Sequence, residues 1–427
     1  MSTTMTSETT SETTSERRPP ARLATAGSLF AQKNFLLFWG GQTISKVGNG
    51  AYKVTLGWSV YELTGSTAAM GLLLALNVVP EIVFLLVGGA IADRFPRRGV
   101  ILAADALACV VLLGLALAAA AGHLSLALLA TTGFALGVIS AFYGPAYAAM
   151  NRDLISDGQF RKANAFFTAT DNLARLAGPV LGGALYAMGG ATTVFTVNAV
   201  SFAVAVAAML LTRTARGPAP ATRQNLRRDL AEGITCVRRT RSLLLLLVIS
   251  VVANCVCLAP YLVLLPDLVR AGGNGLGVLG LLNTAEIAAV LLSALLIGRL
   301  GGRGGAGKVL LMLTSALGLA CVVLGLSGNH VVALFAGAVL VGAGLSSNIV
   351  EHTLLQTLVP PELLSRVYSV NMVFSYSFLP VAYAVSGVLA RHVGTHVVLL
   401  AGGTALIALC AYAFFRRETK SLNAISW

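Results

Sequence analysis

The chain has 427 residues, 56% hydrophobic and only 11% charged, with a formal net charge of +13 and a mean hydropathy of +0.80. A soluble domain carries about 25% charged residues, so composition excludes a water-soluble enzyme and predicts a chain that crosses a bilayer many times. The positive charge by itself would suit a nucleic-acid binder, but its distribution along the chain assigns it elsewhere.

Residues 1–28 are rich in Ser, Thr and Glu and hold no apolar run. They are expected to form a disordered tail rather than a signal peptide, so that the first apolar segment directs insertion. Twelve apolar segments follow, each long enough to span a hydrocarbon core of about 30 Å. In the first half they fall at 35–61, 67–91, 99–121, 124–149, 163–187 and 191–212. In the second half they fall at 243–266, 276–299, 308–327, 331–355, 367–390 and 395–415. A polar, Arg-rich stretch at 213–242 lies between the halves. The expected fold class is an all-α membrane protein, with twelve transmembrane helices in two six-helix bundles. The bundles cover 29–212 and 243–415, the basic linker joins them, and 416–427 is a second tail.

Lys and Arg sort by side. Of the 30, 25 fall in the tails and in loops that this count places inside. Two, Arg270 and Arg391, fall outside, and Lys46, Lys53 and Arg175 lie within helices. That asymmetry predicts both termini in the cytoplasm and an even number of crossings. The charge therefore sets topology, and no nucleic-acid partner is expected. The basic linker is also suited to anionic lipid.

The halves repeat weakly. Leu154-Ile155-Ser156 through Arg161-Lys162-Ala163 aligns without gaps with Leu358-Val359-Pro360 through Ser365-Arg366-Val367, at an offset of 204. Gly298-Arg299-Leu300-Gly301-Gly302-Arg303 echoes the loop after helix 2 but has lost its Asp. Two parallel six-helix repeats about the membrane normal would give this pattern.

That earlier loop reads Gly88-Gly89-Ala90-Ile91-Ala92-Asp93-Arg94-Phe95-Pro96-Arg97-Arg98. Its small residues permit close helix approach, and Asp93 is read as standing at the positive end of the next helix. The pattern of Gly89, Asp93, Arg94, Arg97 and Arg98 resembles the signature gating loop between helices 2 and 3 of the major facilitator superfamily, with Pro96 where glycine is usual. Gly178-Pro179-Val180-Leu181-Gly182-Gly183 in helix 5 resembles the motif of antiporters in that superfamily. Tyr61-Glu62-Leu63-Thr64-Gly65-Ser66, and Gln356 with Pro360, resemble its branch of drug exporters that contains macrolide efflux pumps and the enterobactin exporter. The resemblance implies two bundles that rock about a central cavity. It also implies proton-coupled export of an antibiotic, siderophore or other secondary metabolite across the cell (cytoplasmic) membrane. The partners implied are a small-molecule substrate, protons and the lipid bilayer, with the chain acting as a monomer. A facilitator or importer of a small anionic metabolite, and a lipid translocator, are the alternatives. One departure stands out: relatives commonly carry an Asp in helix 1 where this chain has Asn49, between Lys46 and Lys53.

An ionisable group at bilayer depth costs about 2.5–3.5 kcal/mol on insertion scales, so each one invites a role. Lys46, Asn49 and Lys53 recur at helical spacing and share a face. That stripe either meets an anionic or zwitterionic substrate or pairs with Glu81 of helix 2, while Lys53 can also snorkel outward. Tyr143 and Tyr147 of helix 4 are further cavity candidates. Asp171 and Arg175, four apart on helix 5, are expected to form an intramembrane ion pair. Low dielectric favours the neutral form of a carboxyl group, which makes Glu286 and Glu81 the proton-coupling candidates. Gly178, Gly182 and Gly183 put small residues on helix 5 for close packing, as a plain interface or as a seal between bundles. Pro179 is expected to bend that helix.

The six cysteines lack any zinc spacing and read as small buried residues. No phosphate-binding Gly-Lys-Ser/Thr loop is present, so direct ATP drive is excluded. No cofactor, metal or covalent chemistry is expected.

Overall fold

The computed structural model describes residues 32–154, 160–212, 226–300, 305–326 and 330–423. The expected tails at 1–28 and beyond 423, and the linker at 213–225, lie outside them. So do the side chains of Asp93 and Arg175.

Turn chemistry sets the helix ends. α1 (Lys33–Thr64) stops at Gly65, which adopts φ +59° and returns its N–H to the Tyr61 carbonyl at 2.8 Å. A left-handed residue of this kind ends helices because glycine has no Cβ to clash. Ser66 then caps α2 (Thr67–Arg94), its Oγ accepting from the Ala69 N–H at 3.3 Å. The Tyr61–Ser66 stretch is thus a stop-and-start turn. Pro96 precedes α3 (Arg97–Ala120), and Gly122, at φ +72°, leads into α4 (Leu126–Leu154). Asp93 therefore lies in the last turn of α2, not at the start of α3 as the loop pattern suggested.

Phe160–Leu211 is helical except at Gly189 and Gly190. Gly190, at φ +66° and ψ −162°, occupies a region that only glycine enters freely. The two arms, α5 (160–188) and α6 (191–211), fold back on each other. Gly178 packs on Gly50 of α1, while Asn198 bonds the neighbouring Asn49. Twenty residues of straight helix would hold these points about 30 Å apart. Helical dihedrals run on through Pro179, so the reversal belongs to the glycine pair.

The second half repeats the plan with more interruptions. An amphipathic linker helix (Leu226–Arg239) precedes α7 (Arg241–Ala271), which contains a π-helical turn at Asn254–Leu258. α8 (Leu276–Leu300) and α9 (Ala306–Leu326) are continuous. α10 (Val331–Leu358) is interrupted at Ser346. α11 consists of Pro361–Ser377 and Leu379–Val393, parted at Phe378. Pro380 lacks the N–H that would bond the Tyr376 carbonyl, which accounts for that break. α12 (Thr395–Phe414) and a C-terminal helix (Arg417–Asn423) complete the described chain.

Ten stretches of the described residues are long and apolar enough to cross a membrane. Their outer surfaces carry exposed Leu107, Val110 and Leu117 on α3 and Leu292 and Leu295 on α8. A band of that kind suits lipid rather than water. α1 packs on α5 and α6, and α2 and α3 on α4, in one bundle; α9 packs on α10 and α12, and α8 on α10, in the other. The linker helix inserts Ile234 and Val237 beside Leu246, Leu310 and Leu354, and Glu232 pairs with Arg366 of α11. It thereby marks one end of the molecule, called here the linker end.

The bundles meet at the opposite, far end. The Thr67 hydroxyl of α2 donates to the Gly387 carbonyl of α11 at 3.0 Å. Gly183 of α5 abuts Gly277 of α8, and the Pro179 carbonyl abuts Gly280. The Tyr61 hydroxyl donates to Asp267 of α7, which also accepts from Thr395 of α12.

Candidate functional site

The N-terminal bundle gathers its charges on α1, α4 and α5. Lys46 Nζ lies 2.6 Å from Asp171 Oδ1 and 2.8 Å from the Tyr147 hydroxyl. It also stands 4.1 Å from the centroid of the Tyr147 ring, a cation–π arrangement. Tyr147 stacks on Tyr143 at 5.3 Å. The Tyr143 hydroxyl donates to Gln42 Oε1 at 2.6 Å, and Gln42 Nε2 donates to Asp105 Oδ2 of α3 at 2.8 Å. Trp39 adds a bond from Nε1 to Thr170 at 3.2 Å. Lys46 and Asp171 keep 23% and 45% of their side chains exposed, so the pair is half-buried and borders open space.

These placements redistribute the expected contacts. Asp171 is paired with Lys46 of α1, across the bundle; its expected pair with Arg175 involves a side chain outside the described residues. The face shared by Lys46, Asn49 and Lys53 does not act as one stripe. Asn49 turns to α6, where Asn198 Nδ2 donates to it at 3.4 Å. Lys53 is exposed, and its charge acts on Glu81, also exposed, on α2. Glu286 is buried at 8% exposure and accepts from the Tyr261 hydroxyl of α7 at 3.0 Å.

Gly178 and Gly182 face α1, meeting Gly50 and Ala51, whereas Gly183 faces α8. The helix 5 motif therefore serves both the bundle core and the joint between bundles. In the last turns of α2, the close approach belongs to Gly88, where an added Cβ would meet the Ala141 carbonyl; Gly89 faces open space. Arg98 donates to the Met209 and Leu210 carbonyls at 3.2 and 2.8 Å, satisfying the end of α6, and Arg97 reaches the Ala149 carbonyl at 3.4 Å. Arg94 is exposed.

Sequence reasoning passed over a second cluster. The repeat offset of 204 carries Lys46, Tyr147 and Asp171 to Ser250, Glu351 and Ser375. The structure joins those three as well. The hydroxyls of Ser250 and Ser375 are 3.3 Å apart, Ser250 lines one cavity with Glu351, and Asn371 Nδ2 donates to Glu351 Oε1 at 2.9 Å. A cavity beside them is lined by Ser250, Asn254, Ser347, Asn348 and Glu351. Gln42 and Asp105 were missed too. The signal for Gln42 was its place one turn before Lys46; that for Asp105 was a carboxylate flanked by apolar residues on both sides.

Two helical bundles joined face to face, each holding a polar cluster of equivalent position, define a polytopic transporter. The chain belongs to the transmembrane secretion effector family of the major facilitator superfamily, whose pattern matches residues 24–426. It is 21% identical over 398 residues to macrolide efflux protein A of Streptococcus pyogenes, covering 91% of this chain and 97% of that one. It is 29% identical over 325 residues to the enterobactin exporter EntS of Citrobacter koseri, covering 76% and 77%. Among solved structures, a bacterial homologue of the iron transporter ferroportin in an inward-facing state superposes with a TM-score of 0.70 at 16% identity, covering 91% and 100%. The protein is a multi-pass membrane transporter of small molecules, not an enzyme.

Proposed function

We propose that this chain exports a small organic molecule, such as an antibiotic, siderophore or other secondary metabolite, across the cytoplasmic membrane by proton antiport with alternating access. One observation carries the reading: the described contacts between bundles, Tyr61 with Asp267, Thr67 with Gly387 and Gly183 with Gly277, gather at the far end. Lys46 stands about 22 Å short of Tyr61 along α1, on the side where the bundles part. In this reading the linker end faces the cytoplasm, as its basic residues favour. Both termini then lie inside and the chain crosses twelve times. The far-end contacts form the outer seal, and a substrate enters from the cytoplasm.

Lys46, Tyr143 and Tyr147 on one wall and Glu351 on the other would contact the substrate. Lys46 is balanced by Asp171, so a cargo with both polar and aromatic parts suits the site better than a bare anion. Glu286 and Glu81 are the carboxylates proposed for proton coupling, and Glu286 is the more enclosed. Asn49 and Lys53 serve the bundle and its edge. The loop of Gly89, Asp93, Arg94, Arg97 and Arg98 steadies the cytoplasmic gate.

The test is uptake into energised inverted vesicles, with a panel of labelled antibiotics and siderophores, with and without a proton uncoupler. Accumulation that the uncoupler abolishes supports antiport. Flux that ignores the uncoupler replaces it with a facilitator. No flux across a broad panel moves the reading to lipid.

A further inference from the structure

The interior of the N-terminal bundle holds polar groups that the cavity does not use. Asp105 is 1% exposed. Its Oδ2 accepts from Gln42, and its Oδ1 has no hydrogen-bond partner among the described residues. No described Lys or Arg forms an ion pair with it. The described groups that face it are few. α1 supplies the neutral amide of Gln42. α4 supplies Tyr143, whose proton is committed to Gln42 Oε1 and whose charged neighbours are Asp105 itself and Asp171. One turn along α3, Cys109 gives its thiol to the Ala199 carbonyl of α6 at 3.3 Å. Among the described residues a bare carboxylate would have no cation to balance it and one oxygen without a donor; the acid form needs no cation.

A second observation leads away from the same point. Gln42, Ser45, Tyr52, Thr55 and Ser59 are all buried on α1, at no more than 3% exposure. Their spacing puts them along one face of the helix, a file about 25 Å long at 1.5 Å per residue. Asn49, Asn198 and Ser201 lie beside it, bonded to one another. The hydroxyls of Tyr52, Thr55 and Ser59 have no hydrogen-bond partner among the described residues. Buried hydroxyls of this kind are satisfied by water, and hydroxyls alternating with water relay protons.

We propose that Asp105 is a proton-binding site inside the N-terminal bundle, reached from the far end along the hydroxyl-lined face of α1. The carboxyl binds H⁺ and releases it to water in that file, with no other bond made or broken. Gln42 ties Asp105 to Tyr143, and the stacked Tyr147 ties Tyr143 to Lys46, so the proton stands at one end of a contact chain whose other end is the Lys46–Asp171 pair. Its use in coupling rests on the antiport reading above; its existence does not.

Infrared spectroscopy of the full chain in lipid vesicles reads that existence directly. At neutral pH the wild type shows the carbonyl stretch of a protonated carboxyl group, and Asp105→Asn removes that component. Gln42→Leu, which takes away the amide donor, shifts it. In heavy water the component moves to its deuterated position, and Tyr52→Phe/Thr55→Val/Ser59→Ala slows that exchange. A wild type without an acid component, or one that Asp105→Asn leaves intact, overturns the site. Should Asp105→Asn fail to fold, a component unmoved by Gln42→Leu overturns it equally. Exchange as fast in the triple variant as in the wild type overturns the route. Export that ignores an uncoupler would instead remove antiport while leaving the infrared result standing.

Discussion

Lys46 of α1 and Asp171 of α5 form an ion pair at 2.6 Å, Nζ to Oδ1, between helices that pass side by side through the bundle. Either charge alone at this depth would oppose insertion. Together they tie the first helix to the fifth and leave a partly open edge where a ligand can compete.

Because the pair is half-buried, losing one member falls between the cost of an exposed bridge and that of a buried one, on the order of 1–3 kcal/mol. Lys46→Gln and Asp171→Asn should each lower the unfolding temperature in detergent. The double variant should lose less than the two singles added together, since no lone charge remains. Additive losses would show that the pair contributes no coupling.

Adjacent glycines in the last turns of α2 separate packing from sequence pattern. Gly88→Ala would drive its Cβ into the Ala141 carbonyl, whereas Gly89→Ala meets nothing within 4 Å. The first should destabilise by on the order of 1–3 kcal/mol. The second should be neutral or slightly stabilising, because alanine is the better helix former. Thermal unfolding of the two purified variants decides the matter, and equal losses would contradict the geometry.

At the far end, an added Cβ on Gly183 lies 3.2 Å from the Gly277 Cα, so a large side chain there cannot fit while the bundles stay joined. Gly183→Leu should hold the bundles apart at this end and lower flux. Gly277→Leu should leave flux near the wild type, because a Cβ at Gly277 meets nothing within 4 Å. Vesicle flux decides the matter, and equal flux in the two variants would contradict the geometry.

The linker helix is clasped to α11 by Glu232 and Arg366, and Gly233 lets its backbone approach the Arg366 carbonyl. Gly233→Leu cannot keep that approach and should free the linker helix. Limited proteolysis of vesicles with the linker exposed should then cut faster than in the wild type. Arg366→Ala should have the smaller effect, since it loses one half-buried, partly screened ion pair while Ile234 and Val237 keep their packing.

Hydropathy made the helices legible because every apolar run had to be long enough for the bilayer. The ends were legible where a glycine or a capping serine stood, as at Gly65 and Ser66. The partners of buried polar groups were not legible. Spacing along a helix offered Asp171 only neighbours on its own helix, and Lys46, four helices away and 2.6 Å from it, left no mark in that spacing. Nor did position along the chain separate Asp105, sealed inside the bundle, from a carboxylate that reaches the surface. Such contacts depend on helix rotation, and packing of Gly50 on Gly178 and of Ala51 on Gly182 sets that rotation. The π turn in α7 adds a register shift that hydropathy does not sense.

Among the described residues, the interruptions within spanning segments belong to one half: the π turn in α7, the break at Ser346 and the break at Phe378. Helices α1 to α4 run through without one. The molecule therefore pairs a stiff half with a compliant one. Load applied at the shared seam would deform the compliant half first, as a spring yields before the post it leans on. The two sequence repeats would then divide the labour of movement unequally.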